Sequence, residues 1–189
     1  MDEIKSLFEK LQNQIKEDED KEFEDIMNLS FNDLEDEFIK GQKTKKILIK
    51  KLHPDAKIPN YAYETDSGFD LYSSEEVEIS AFGRSLVPTG ISIQFDEEYE
   101  VQVRTKSGLA INQGLMVLNS PGTVDQGYRG ELKVIIFNTN NKPFTVTKGM
   151  KVGQGVLCPV VPGKFVKFEE VTSLDETDRK DGGFGSTGI

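Results

Sequence analysis

The chain of 189 residues carries a formal net charge of −10 and contains one cysteine and one histidine. That length is typical of one domain with an extension. The single cysteine and histidine argue against a disulfide framework, a Cys/His zinc site and a Ser-His or Cys-His nucleophilic pair. Acid–base chemistry would then fall on carboxylates, and a bound metal would be a hard ion such as Mg²⁺ with oxygen ligands.

Most of the negative charge lies in the first 40 residues, which hold 14 acidic and 5 basic side chains, a net of −9. The rest of the chain holds 19 acidic and 18 basic side chains, a net of −1. Neither part has the basic stripe of a general nucleic-acid-binding protein, so no direct nucleic-acid binding is expected. No apolar run could span a bilayer and no signal-peptide pattern is present, so we expect a cytoplasmic protein, or one in the host cytoplasm if its source is viral.

An acidic helical extension is predicted over residues 1–44. Apolar side chains recur there at helical spacing, at Ile4, Leu7, Phe8 and Leu11, and the pattern resumes at Phe23 after the run EDED. Short helices are marginal alone in water, so their apolar faces need a surface to pack on. Three interpretations of residues 1–40 stay open: packing against the main domain or each other, an arm that binds a protein partner, and disorder.

A β domain is predicted over residues 45–172, because short β-type runs alternate there with Gly, Pro, Asn and Asp signals. The expected strands are KILIKKL, EVEIS, RSLVPTG, ISIQF, YEVQVRT, LMVL, ELKVIIFNT, PFTVT, MKVGQGVLCPVV and FVKFEEV. Many short strands with such turns indicate an antiparallel sandwich or barrel. One short helix is expected in SGLAINQ, at 107–113. Residues 173–189 have almost no apolar content and are expected to form a mobile, glycine-rich C-terminal arm.

Three stretches of the β domain are more elaborate than ordinary turns. TDSGFDLYSS places Asp70 beside glycine and aromatic residues, and NSPGTVDQGYRGEL holds Asp125 and Tyr128 in a Pro/Gly-rich hairpin. RTKSGLA places Lys106 before a helix start, where backbone N–H groups favour an anion. Taken singly, each residue also fits a turn position or a solvated charge.

Together with two further stretches, these resemble the five motifs of the homotrimeric dUTP pyrophosphatases (dUTPases), in order. The resembling segments are SGFDLYSS, KSGLA, NSPGTVDQGYRGE, KGMKVGQ and RKDGGFGSTG. The resemblance runs from about Lys46 to Ile189 and leaves residues 1–40 uncovered. It implies a distorted antiparallel β-barrel or jelly roll with one short helix. It also implies hydrolysis of dUTP to dUMP and pyrophosphate with Mg²⁺, by a homotrimer whose active sites lie at subunit interfaces.

The resemblance implies roles for the residues of the third and fourth motifs. Asp125 corresponds to the aspartate that orients the attacking water, and Gln154 to a glutamine near the phosphates and that water. Tyr128 corresponds to the residue whose ring packs on the deoxyribose and excludes a 2′-hydroxyl. Asn119 and Gly122 correspond to positions in the hairpin whose backbone reads uracil.

The remaining motifs are implied to bind phosphate and metal. Lys106, Ser107 and Gly108 would contact the phosphates. Asp70 would be linked to the Mg²⁺-binding region indirectly, either through water or through the arginine of the fifth motif, which is Arg179.

The C-terminal arm is implied to complete the active site of a neighbouring subunit. Arg179, Ser186 and Thr187 would hold the phosphates together with glycine N–H groups such as that of Gly185, while Phe184 stacks on uracil. The glycines let the chain lie against the ligand without Cβ clashes.

Four positions depart from the family pattern. Lys106 and Lys151 replace arginines, which keeps the charge but loses the bidentate fork. Met150 replaces an aspartate, and Gly155 a larger apolar residue.

Two alternatives compete with a dUTPase. A dCTP deaminase shares the fold, but it needs a glutamate ten residues beyond the shared aspartate, where this chain has Ile135. A regulatory binding protein acting through its acidic N-terminal arm is the other; deletion of residues 1–40 tests whether that arm belongs to the catalytic unit.

Overall fold

The computed structural model describes residues 44–183 and residue 186 of the chain. The helical extension predicted over 1–44 therefore lies outside the described residues, apart from its last residue. All strands belong to the compact unit Lys46–Ile189. In the described part of the chain, no helix is long and apolar enough to cross a membrane.

Eleven strands, one α-helix and one 3₁₀ helix lie within the described residues. In chain order they are β1 (Leu48–Lys51), β2 (Phe69–Tyr72), β3 (Val77–Ile79), β4 (Arg84–Pro88), β5 (Ile91–Gln94), β6 (Tyr99–Arg104), α1 (Ser107–Gln113), β7 (Leu115–Val117), β8 (Gly122–Val124), β9 (Lys133–Asn138), β10 (Phe144–Val146), β11 (Lys151–Pro159) and the 3₁₀ helix Gly163–Phe165.

The strands pair in four antiparallel sheets. A four-stranded sheet has the order β2-β11-β6-β8, a three-stranded sheet the order β4-β9-β7, and β1-β5 and β3-β10 form two-stranded sheets. The predicted mostly β, antiparallel fold with one short helix is confirmed. The sheets do not join into a closed barrel within the described residues, because no ladder of hydrogen bonds connects one sheet to the next.

The core is formed by the side chains that alternate inward along these strands. In β9, Val134, Ile136 and Asn138 are buried while the residues between them are more exposed, the period of two expected for a strand with one covered face. Asn138 is fully buried, and its Nδ2 donates to the carbonyl oxygens of Ile79 (3.2 Å) and Lys142 (2.8 Å). This amide therefore ties the end of β9 to the β3-β10 region without leaving an unsatisfied polar group.

Most of the predicted strands are confirmed, with two additions and one error. Strands β2 and β8 form inside stretches that the sequence pattern marked as loops. FVKFEEV is not a strand: only its first residue is in the 3₁₀ helix, and Phe168 is 95% exposed. A strand needs a neighbour to accept its hydrogen bonds and cover its side chains, and this segment has none within the described unit.

Helix α1 spans the predicted residues and connects β6 to β7. It ends at Gly114, whose φ of 60° is left-handed and whose N–H donates to the carbonyl of Ala110 (3.2 Å), the usual glycine C-cap. No residue of the helix is fully buried, and Leu109 is the side chain that packs on the core.

Candidate active site

Three polar side chains form one row across the four-stranded sheet. Gln154 on β11 is paired with Asp70 on β2 and with Arg104 on β6. Residues directly opposite one another in neighbouring strands project to the same face, so the row lines one cleft. The cleft has a volume of about 330 Å³ and is lined by Ala62, Asp66, Ser67, Gly68, Asp70, Arg104, Lys106, Lys151, Gln154 and Val156.

Asp70 is the buried centre of this cleft, and both of its carboxylate oxygens contact a lysine. Its side chain is 5% exposed; Lys106 Nζ donates to Oδ1, and Lys151 Nζ lies 2.6 Å from Oδ2. Burial raises the pKa of Asp70, but the hydrogen bonds and charges of the two lysines outweigh it, so the pKa lies below its usual value of 3.8. Asp70 is therefore ionised at neutral pH, and each of its two oxygens contacts a lysine.

The two lysines reach Asp70 from different elements. Lys106 is the residue before α1, and Lys151 is the first residue of β11, next to a register shift between Lys151 and Gly153. The hydrogen bond and charge of Asp70 raise the pKa of Lys151 above its usual value. The sequence marked Lys151 only as a departure from a family arginine, whereas the structure places it inside the cleft.

Two glycines allow close packing around the row of Asp70, Gln154 and Arg104. A Cβ on Gly68 would lie 3.0 Å from Oε1 of Gln154, so the side-chain amide lies directly against the glycine backbone. A Cβ on Gly155 would lie 2.3 Å from Cε2 of Phe69, its register partner. The ring of Phe69 therefore fills the space that a larger residue at 155 would take.

The hairpin that contains Asn119 and Tyr128 is tightly folded. A Cβ on Gly122 would lie 2.9 Å from Nδ2 of Asn119, so the side chain of Asn119 covers this glycine. The hydroxyl of Tyr128 donates to the carbonyl of Glu131 (3.0 Å), and a Cβ on Gly130 would lie 2.4 Å from that hydroxyl. The Tyr128 ring is thus held over Gly130 while remaining half exposed.

Buried polar contacts fix the base of the hairpin to β5 and the turn before it. The backbone N–H of Gly90 donates to Oε1 of Glu131 (2.8 Å), and the hydroxyl of Ser92 donates to the carbonyl of Arg129 (2.8 Å). Ser92 is buried. Sequence reasoning missed these anchors, because a serine inside ISIQF carries no local signal for a partner 37 residues away.

The predicted base, Asp125, is exposed and does not line the cleft. In the pairing of β8 with β6, Val124 lies opposite Val101, so Asp125 lies one residue beyond that pair. On β6, the residue in the same row as Asp70 is Arg104. At a rise of about 3.3 Å per residue and about 4.8 Å between strands, this separates Asp125 from Asp70 by roughly 13 Å along the strands and roughly 14 Å across them. A single chain therefore does not bring the two aspartates together.

The other predicted residues lie outside the cleft lining. Ser107 and Gly108 are the first two residues of α1 and are exposed. Nε of Arg179 donates to the carbonyl of Gly182 (2.9 Å), within the C-terminal arm itself, and Ser186 is exposed. The remaining predicted arm residues, Phe184, Gly185 and Thr187, lie outside the described residues.

The described side chains do not by themselves form a metal-binding site. In the described part of the chain, His, Cys, Asp and Glu side chains form no cluster of three or more suited to a metal ion. Each oxygen of Asp70 contacts a lysine, so a metal ion bound directly to Asp70 would share an oxygen with a positively charged ammonium group. A Mg²⁺ ion fits here only when substrate oxygens and water supply most of its ligands.

Comparisons with known proteins agree on one family. The dUTPase family model matches residues 54–188. The deoxyuridine 5′-triphosphate nucleotidohydrolase of Helicobacter pylori (strain P12) is 51% identical over 144 residues, which is 76% of this chain and 97% of the relative. The protein of the same name from Clostridium kluyveri is 48% identical over 143 residues, covering 76% and 98%.

Solved structures share the fold at lower identity. The Staphylococcus bacteriophage 80alpha dUTPase with dUPNHPP superimposes with a TM-score of 0.70 at 22% identity, covering 77% of this chain and 100% of that one. A dUTPase from phage phi11 of S. aureus, described for its coordination of a structural Mg(II) ion, has a TM-score of 0.61 at 19% identity, covering 68% and 97%.

Fold, cleft and relatives together define a mostly β hydrolase of nucleotide metabolism. Four of the five motif segments lie on the strands, turns and helix described above. The chain belongs to the dUTPase family.

Proposed function

We propose that the chain hydrolyses dUTP to dUMP and pyrophosphate, with water attacking the α-phosphate. The observation that carries the proposal is the cleft in which Lys106, Lys151 and Gln154 surround Asp70. Three family motifs converge there, and cationic donors over a buried carboxylate suit a triphosphate. Relatives about half identical to this chain are named for the same reaction.

Asp125 is proposed as the general base. It stands at the start of a turn in which the N–H of Tyr128 donates to its carbonyl (3.0 Å), which leaves the carboxylate exposed and free to meet a ligand. A carboxylate that accepts the proton of the attacking water contributes roughly 10²- to 10⁴-fold to the rate. Tyr128, held over Gly130, would pack on the deoxyribose and exclude a 2′-hydroxyl by contact.

The active site is proposed to lie between subunits of a homotrimer. Asp125 and Asp70 are too far apart within one protomer to act on one nucleotide, so a second copy must supply the hairpin. The arm that contains Arg179 would come from a neighbouring subunit and close over the phosphates, which excludes water and strengthens each contact.

Mg²⁺ is the proposed cofactor, and it would neutralise charge on the triphosphate oxygens. Asp70 would act on it only through water, since its own oxygens are occupied by lysines. Lys106 would hold phosphate oxygens together with the hydroxyl of Ser107 and the backbone N–H of Gly108.

The test is pyrophosphate release from dUTP, dCTP, dTTP and UTP in the presence of Mg²⁺, with wild type and Asp125→Asn. We expect hydrolysis of dUTP alone, with kcat reduced at least about 10²-fold in the variant and binding of a non-hydrolysable dUTP analogue retained. Asp96→Asn is the matched control, because Asp96 is exposed and begins a similar turn toward Tyr99. If Asp125→Asn were as active as Asp96→Asn, Asp125 would not be the general base.

A further inference from the structure

We propose that Lys151 is a positioning residue that makes Lys106 available to the substrate phosphates. The inference rests on the proposed function and deepens it. Lys151 contacts the second oxygen of Asp70, so the negative charge of Asp70 is shared between two lysines and attracts Lys106 less strongly.

The geometry divides the Asp70 carboxylate between two donors. Oδ1 accepts from Lys106, and Oδ2 lies 2.6 Å from Lys151 Nζ. A lysine ammonium has three N–H donors. Lys106 uses one of them on Oδ1, and Lys151 competes with Lys106 for Oδ2. The other donors of Lys106 then remain for phosphate oxygens.

The charge balance points the same way. Asp70 and Lys106 alone form a neutral pair, and Lys151 makes the cluster net positive by one charge. The other charged side chains that line the cleft, Asp66 and Arg104, cancel each other. Removal of Lys151 would therefore leave a cleft with no net charge to attract a triphosphate.

The two lysines differ in exposure, and Lys151 is the more exposed of the pair. The side chain of Lys106 is 27% exposed and that of Lys151 49%, while Asp70 is 5% exposed between them. Lys151 can thus be exchanged without opening a cavity in the core. Asp70 would still keep one cation in its buried site.

The experiment compares wild type with Lys151→Met, Lys151→Arg and Lys148→Met in steady-state dUTP hydrolysis. Lys148 is the matched control, because its Nζ lies 2.6 Å from an aspartate oxygen of Asp55, the same distance as in the cleft, yet it does not line the cleft. We expect Lys151→Met to raise KM on the order of tenfold with kcat within about twofold, and to make KM less sensitive to salt. Lys151→Arg should restore both values, and Lys148→Met should match wild type.

The outcomes separate the inference from the proposed function. If wild type hydrolyses no dUTP, the proposed function fails, whatever the variants do. If wild type is active and Lys151→Met keeps its KM and salt dependence, only the inference fails. It fails also if the folded Lys151→Arg variant behaves like Lys151→Met, because positive charge at this position would then not be the cause.

Discussion

The contact between Gly155 and Phe69 makes a sharp prediction about stability. Gly155→Ala introduces a methyl group at a point 2.3 Å from Cε2 and 2.4 Å from Cζ of the Phe69 ring. Phe69 is 4% exposed, so the ring cannot rotate into solvent without leaving the core. Gly153→Ala, two residues earlier in the same strand, is the control, since its methyl group would meet nothing closer than 3.4 Å.

The two variants should change the free energy of unfolding differently. Overpacking a core site costs about 1–3 kcal/mol, while a Gly→Ala change recovers about 0.4–1 kcal/mol through the unfolded chain. Gly155→Ala should therefore lower the free energy of unfolding by about 1–2 kcal/mol. Gly153→Ala should leave it unchanged or raise it by roughly 0.5 kcal/mol.

A double-mutant cycle isolates the contact. Phe69→Ala alone should cost about 3–5 kcal/mol, and the added methyl of Gly155→Ala should then be neutral or favourable because the ring is gone. Urea unfolding of all four proteins at one protein concentration measures the coupling. Additive effects, or a Gly155→Ala variant as stable as Gly153→Ala, would refute the account of this glycine.

Two further changes test the hairpin and the buried carboxylate. Gly130→Ala should push the hydroxyl of Tyr128 off its position, so the ratio of kcat/KM for dUTP over UTP should fall; an unchanged ratio would show that the placement of Tyr128 does not set sugar selectivity. The pKa of Asp70 is lower in the folded protein than its usual value of 3.8, so the ionised carboxylate stabilises the folded state. This stabilisation is complete above pH 3.8 and is lost as the pH falls through the pKa of the folded state. The free energy of unfolding of Asp70→Asn should therefore fall less steeply than that of wild type below pH 3.8, and parallel curves would contradict this.

Much of the fold follows from local pattern, because strands and helices leave periodic traces in the sequence. The alternation in KVIIFN and the turn signals around it predict β9, and the segment SGLAINQ predicts α1. The motif segments likewise carry their chemistry in short stretches, so Asp70, Lys106 and Gln154 can be chosen from the sequence alone. All three line the cleft.

Tertiary structure decided the pairings, since these depend on residues far apart in the chain. FDLY and GTV become strands because β11 and β6 offer them edges, whereas FVKFEEV has the right composition and no partner within the described unit. The β2-β11 pairing also brings Lys151 to Asp70, 81 positions away, and so adds a cation that no local pattern could place. Hydrogen-bonding capacity and charge can be read residue by residue; which donor meets which acceptor depends on how the sheets assemble.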